Sequence, residues 1–98
     1  MDLGLPAASP PRLLFHGTGR QSLSSILRDG LQRGRRHHVH LSPNVETALR
    51  VGRRHGPPVV LDVAAAEMAA AGHVFHVTAN DVWLVEAVPP EFLSPRRE

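Results

Sequence analysis

Three short segments hold most of the side chains able to do chemistry: His16-Gly17-Thr18, His37-His38-Val39-His40 and Gly52-Arg53-Arg54-His55-Gly56. In the first, a glycine would let a ligand approach the backbone. The flanking histidine and threonine offer donors and acceptors for ribose hydroxyls or phosphates. The same histidine at a strand end also suits a purely structural hydrogen bond. In the second, strand periodicity puts His38 and His40 on one face. Two histidines can begin a metal site, but no aspartate or glutamate lies near them in sequence, so no metal is expected. A polar cleft wall or an exposed strand are the other readings. Ser42 follows at an expected helix N-terminus, where backbone N–H groups favour an anion. In the third segment, one of the adjacent arginines can point into a cleft while the other faces solvent. A charged turn complementing a helix dipole explains the pair equally well.

All eleven basic residues are arginines, and the net charge is only +2, which excludes a strongly basic nucleic-acid coat. The arginines nevertheless cluster beside the histidines, as Arg33, Arg35 and Arg36 and as Arg50, Arg53 and Arg54. The guanidinium fork matches phosphate oxygens; a codon bias against lysine on solvated faces is the plainer explanation. With no cysteine, disulfides and thiolate metal sites are excluded. No apolar run approaches the length of a membrane span, and no signal peptide is legible. The expectation is a cytoplasmic protein with no membrane partner.

These residues need elements to hold them. The 98-residue length predicts one domain with a thin stability margin. Nine prolines and eight glycines imply short elements and many turns. Residues 1–11 read as an extended lead-in, and Arg12 to His16 as a strand. Residues 20–29 read as a helix with Leu23, Ile26 and Leu27 on one face, closed by Gly30. Residues 32–37 read as a loop and Val39 to Leu41 as a strand. Ser42 as cap and Pro43 as first helical residue predict a second helix, with Val45, Ala48 and Leu49 buried and Gly52 at its end. Val59 to Val63 reads as a buried strand and residues 64–71 as an alanine-rich helix closed by Gly72. Val74 to Val77 and Val82 to Val85 read as strands, and Trp83 as core. A tail begins at Pro89-Pro90 and frays from Arg96. About five strands and three helices predict an α+β fold with a small mixed sheet around a cleft.

In order and spacing these segments resemble RNA 2′-phosphotransferases of the KptA-like kind. The resemblance runs from Pro10-Pro11 and His16-Gly17-Thr18 through Ile26 and Gly30-Leu31. It continues with Arg36, His38-Val39-His40-Leu41-Ser42 and the stretch from Ala48 to Leu61. Met68, Gly72, Phe75, Asn80, Val82-Trp83-Leu84 and Val88-Pro89-Pro90 complete it. It covers essentially residues 2–93.

The resemblance implies an ADP-ribosyltransferase fold, with NAD as co-substrate in the cleft of a split sheet and no metal. It implies NAD binding by His16, Gly17, Thr18, His40 and Ser42, and by Val82, where other ADP-ribosyltransferases carry a glutamate. Arg54 matches an arginine that acts on the transferred phosphate, and Arg36 and His38 are candidates for the substrate phosphate. The implied reaction is that of tRNA splicing. An RNA 2′-phosphate displaces nicotinamide from NAD, giving an ADP-ribosylated RNA phosphate. The ribose 2″-hydroxyl then takes the phosphate.

The family pattern also has an N-terminal RNA-gripping lobe that supplies an Arg-His pair and a further arginine to the active site, and these motifs are not in residues 1–98. Met1-Asp2-Leu3-Gly4-Leu5 stands where the family commonly reads Val-Asp-Leu-Gly-Leu, so a truncated gene or a one-lobe remnant is expected. The resemblance therefore implies an RNA 2′-phosphotransferase lobe that binds NAD and supports the first step but does the second poorly. Alternatives are a stand-alone ADP-ribosyltransferase acting on another phosphorylated or nucleic-acid acceptor, or a catalytically impaired NAD binder.

Overall fold

The computed structural model describes residues 7–32 and 38–96. Strand β1 (Leu14–Gly19) leads through a 3-10 turn (Arg20–Ser22) into helix α1 (Leu23–Asp29), then strand β2 (Leu31–Gln32). Strand β3 (Val39–Leu41) precedes helix α2 (Val45–Gly52), a 3-10 turn (Arg53–His55) and strand β4 (Pro58–Val63). Helix α3 (Ala65–Ala70) and strands β5 (His76–Val77), β6 (Trp83–Val85) and β7 (Ala87–Val88) follow. A 3-10 turn (Pro90–Phe92) leads into strand β8 (Leu93–Pro95).

The strands form two three-stranded sheets, β1-β4-β8 and β3-β6-β5, and a small β2-β7 ladder. The fold is α+β, as expected, but every ladder among the described residues is antiparallel. The expected mixed sheet is therefore corrected. Each helix connects strands of different ladders, so none makes the crossover between neighbours that a parallel pair needs. The two larger sheets meet at one isolated bridge, where Phe15 and Ser42 exchange backbone hydrogen bonds of 2.9 and 2.8 Å.

The core fills the space between these layers. Leu14, Leu61 and Val63 come from the first sheet, Leu41 and Val85 from the second, and Met68 and Phe75 from α3 and the segment after it; all are essentially inaccessible. Leu23, Ile26 and Trp83 pack against this cluster from its margin. Leu27 does not join them, being 38% exposed; a seven-residue helix has room for only a narrow apolar stripe.

The first sheet owes its helix cover to glycine. A Cβ on Gly17 would lie 1.6 Å from the Ala48 carbonyl oxygen of α2. A Cβ on Gly52 would lie 3.0 Å from the Thr18 carbonyl oxygen. The backbones of β1 and α2 are therefore in direct contact. One expected boundary shifts here. Ser42 is not the cap of α2, because its carbonyl accepts the Phe15 N–H across the bridge instead of the first helical N–H. Asn44 caps instead, its Oδ1 accepting the Thr47 N–H at 2.8 Å. Of the expected buried stripe only Ala48 is fully buried; Val45 and Leu49 are half-buried.

The expected tail is also structured. Leu93–Pro95 pairs with β4, and Pro95 is tolerated because β8 is an edge strand. Arg96 is held rather than frayed. Its N–H donates to the Val60 carbonyl at 2.8 Å. Its guanidinium pairs with Asp62 at 3.3 Å and lies 5.5 Å from the centroid of the Phe15 ring. Gln32, read as loop, pairs with Ala87. Gly30 (φ 82°) and Gly72 (φ 105°) close α1 and α3 as expected, each in the left-handed region that a β-carbon disfavours.

Candidate functional site

The bridge between the sheets sets the geometry of the histidine segments. It ties Phe15 to Ser42, which brings the next residue of β1, His16, beside β3. The His16 ring then donates from Nδ1 to the His40 carbonyl at 3.3 Å. In the neutral ring this bond puts the proton on Nδ1 and makes Nε2 the acceptor. Two segments separated in sequence by a helix and a turn thus meet at one point.

The rest of the first segment lies along β1. Gly17 and Thr18 pair with Val60 and Val59 of β4. Thr18 is the buried polar residue of the described core, 7% exposed. Gly17 has a packing role of its own, because its missing side chain is replaced by the backbone of α2. The 3-10 turn Arg53–His55 packs against β1 and β4, so Arg54, exposed on that turn, is carried next to the strand of His16 and Thr18. Val82 is half-buried immediately before β6. It closes a turn through Thr78, donating its N–H to Thr78 Oγ1 at 3.1 Å and accepting the Thr78 N–H at 2.9 Å. Asp81 takes the left-handed φ of 63° that this turn requires.

On the second sheet, His38 and His40 flank Val39, which points into the core. His38 lies in a bend just before β3, so the alternation of the strand does not extend to it. Register adds a residue that the sequence did not single out. His40 and His76 both pair with Leu84, one from each side of β6, so His76 lies on the same face. The rings of His38 and His76 sit edge to face with centroids 6.0 Å apart. No local pattern in His73 to Val77 signals this; only the cross-strand register does. Arg36, with Arg33 and Arg35, lies outside the described residues. Among the described residues no three histidine, aspartate or glutamate side chains converge as a metal site would require.

A separate open groove of about 670 Å³ runs between α2 and the first sheet. Arg20, Leu23, Val45, Leu49, Pro58–Val60 and Arg96 line it, and none of the histidine, glycine or Arg54 positions above does.

The sequence profile of the RNA 2′-phosphotransferase, Tpt1 / KptA family matches residues 3–87. The chain belongs to this family. A relative from Streptomyces griseus, named "Probable RNA 2'-phosphotransferase", is 57% identical over 96 residues, 98% of this chain and 51% of its own length. Relatives bearing the same name from Hahella chejuensis and Streptomyces coelicolor are 50% and 56% identical, over 96% and 95% of this chain and 50% and 51% of their own lengths. The chain thus spans about half the length of the curated relatives that it matches. All the positions singled out above, from His16 to Val82, fall inside the part of the chain that the Tpt1 / KptA profile covers. Among the described residues no helix is long and apolar enough to cross a membrane.

Proposed function

We propose that this chain is the NAD-handling part of an RNA 2′-phosphotransferase, passing the 2′-phosphate of an RNA to the ADP-ribose portion of NAD. The observation that carries this reading is the junction at which the His16 ring meets the His40 carbonyl. Two segments that family resemblance assigns to NAD come together there without any residue between them. An ADP-ribosyltransferase architecture fits the arrangement of two small sheets joined at a single bridge.

In this reading His16, Thr18, His40 and Ser42 hold the dinucleotide, with backbone at Gly17 and apolar contact from Val82. The Nε2 acceptor of His16 takes a ribose hydroxyl. NAD supplies the electrophilic ribose carbon and nicotinamide as leaving group. Arg54 provides a fixed positive fork for the transferred phosphate, and His38 and Arg36 add donors for the substrate RNA. Arginine suits this task because its charge does not depend on pH in the working range.

The test is turnover of NAD by the 98-residue chain in the presence of RNA carrying an internal 2′-phosphate. Release of nicotinamide and accumulation of ADP-ribosylated RNA are expected, with slow completion to the 2′-hydroxyl product. Replacing Arg54 with alanine is expected to lower phosphate transfer about 100-fold, the cost of losing one donor to developing charge, while NAD affinity stays within about twofold. Rapid full conversion by the chain would overturn the expected imbalance between the steps. Nicotinamide release that ignores the 2′-phosphate would point instead to an ADP-ribosyltransferase with another acceptor.

A further inference from the structure

The second sheet presents a face that the catalytic reading uses only in part. Antiparallel neighbours directly opposite each other share a face, so His40, Leu84 and His76 form one row across β3, β6 and β5. Leu84 lies in the middle of that row. It is only 5% exposed, yet it does not belong to the core cluster, which lies on the other face with Val39, Leu41 and Val85. Leu84 is thus covered on the face away from that cluster. The rings of His38 and His76 approach edge to face, at 6.0 Å between centroids. The result is a platform of two half-buried aromatic rings with an apolar base.

Two strand spacings, roughly 10 Å, separate the backbones of β3 and β5, so a polymer lying across the sheet from the junction of His16 and His40 reaches His76. Aromatic platforms of this kind accept unstacked bases with little regard to sequence, because every base has a flat face.

We propose that His76, with His38, is a docking platform for a nucleotide of the RNA strand flanking the reacting 2′-phosphate. The proposal rests on the reading of this chain as part of an RNA 2′-phosphotransferase. It assigns to His76 a positioning and affinity role, not a chemical one. The ring stacks on a base and thereby holds the strand in register with the NAD junction. The platform acts on nucleotides beyond the modified one, so its contribution grows with RNA length.

The experiment compares two labelled ligands on the full 98-residue chain by fluorescence anisotropy. One is a dinucleotide with a 2′-phosphate; the other carries the same dinucleotide with three unpaired nucleotides on each side. The unsubstituted chain is expected to bind the longer RNA more tightly. His76→Ala is expected to weaken the longer RNA about 5-fold, the low end for loss of one stacked base. It leaves the dinucleotide and NAD within twofold. His76→Phe, which keeps a flat ring, restores the longer RNA to within twofold of the parent. Thermal melts of both variants report their folding. Equal loss for both RNAs and NAD, or no loss for either, overturns the proposal. So does an unsubstituted chain that binds both RNAs alike, a result that depends on no variant. Failure to release nicotinamide would remove the enzymatic reading instead, and a length-dependent effect of His76 would survive it.

Discussion

The two larger sheets are built to different standards. In the first, β1 and α2 touch backbone to backbone through Gly17 and Gly52, and there is no space for a methyl group between them. In the second, Leu84 is buried on the face away from the core cluster, and His76, which pairs with it, meets His38 ring to ring. Backbone contact fixes position to within the width of an atom. Contact between side chains fixes it less tightly. Under the proposed function this becomes a division of labour: the first sheet sets the geometry at which His16 meets the His40 carbonyl, and the second would meet the RNA.

That contrast can be broken by substitution. The largest effect is expected for Gly17→Ala, whose new carbon must displace the Ala48 carbonyl. A cost of about 3 kcal/mol is expected, at the upper end for overpacking, read as a large drop in melting temperature. A variant that melts like the parent would show that α2 is free to move away. Next come two leucines of the same size and similar burial, Leu61 and Leu84, in the first and second sheets. Leu61→Ala removes core packing and is expected to cost about 3 kcal/mol. Leu84→Ala is expected to cost about 2 kcal/mol or less, since the histidine side can relax into the space. Equal costs by chemical denaturation would erase the distinction between the sheets. The smallest effect concerns the start of α2. Asn44→Ala is expected to cost about 1 kcal/mol through the lost cap, whereas Ser42→Ala leaves stability unchanged, because Ser42 contributes its backbone to the bridge. The reverse order in paired melts would restore Ser42 as the cap.

Much of the candidate site was legible because its residues lie in segments with strong local patterns. Strand β3 has the boundaries that its apolar pattern suggests, with His38 in a bend just before it. The glycine stops of α1 and α3 follow from backbone sterics alone. Features fixed by distant partners were not legible. Ser42 and Asn44 are both good caps, and the choice between them depends on Phe15 claiming the backbone of Ser42. The strand Leu93–Pro95 contains a proline and lasts three residues; only the open edge of β4 makes it a strand. His76 gains its place through two ladders that meet at Leu84. Gly17 suggests ligand access in the sequence, and the helix backbone against it gives that residue a packing reason too.

The position of β4 has a consequence for biosynthesis. It is the central strand of its sheet, bonded on one side to β1 and on the other to β8. A chain emerging from the ribosome can pair β1 with β4 early, but the other edge of β4 stays open until Leu93–Pro95 and Arg96 arrive. Until then the nascent domain exposes an unpaired strand edge, the kind of surface on which partly made chains associate. The last-made described residues thus act as a cover for a strand completed some thirty residues earlier.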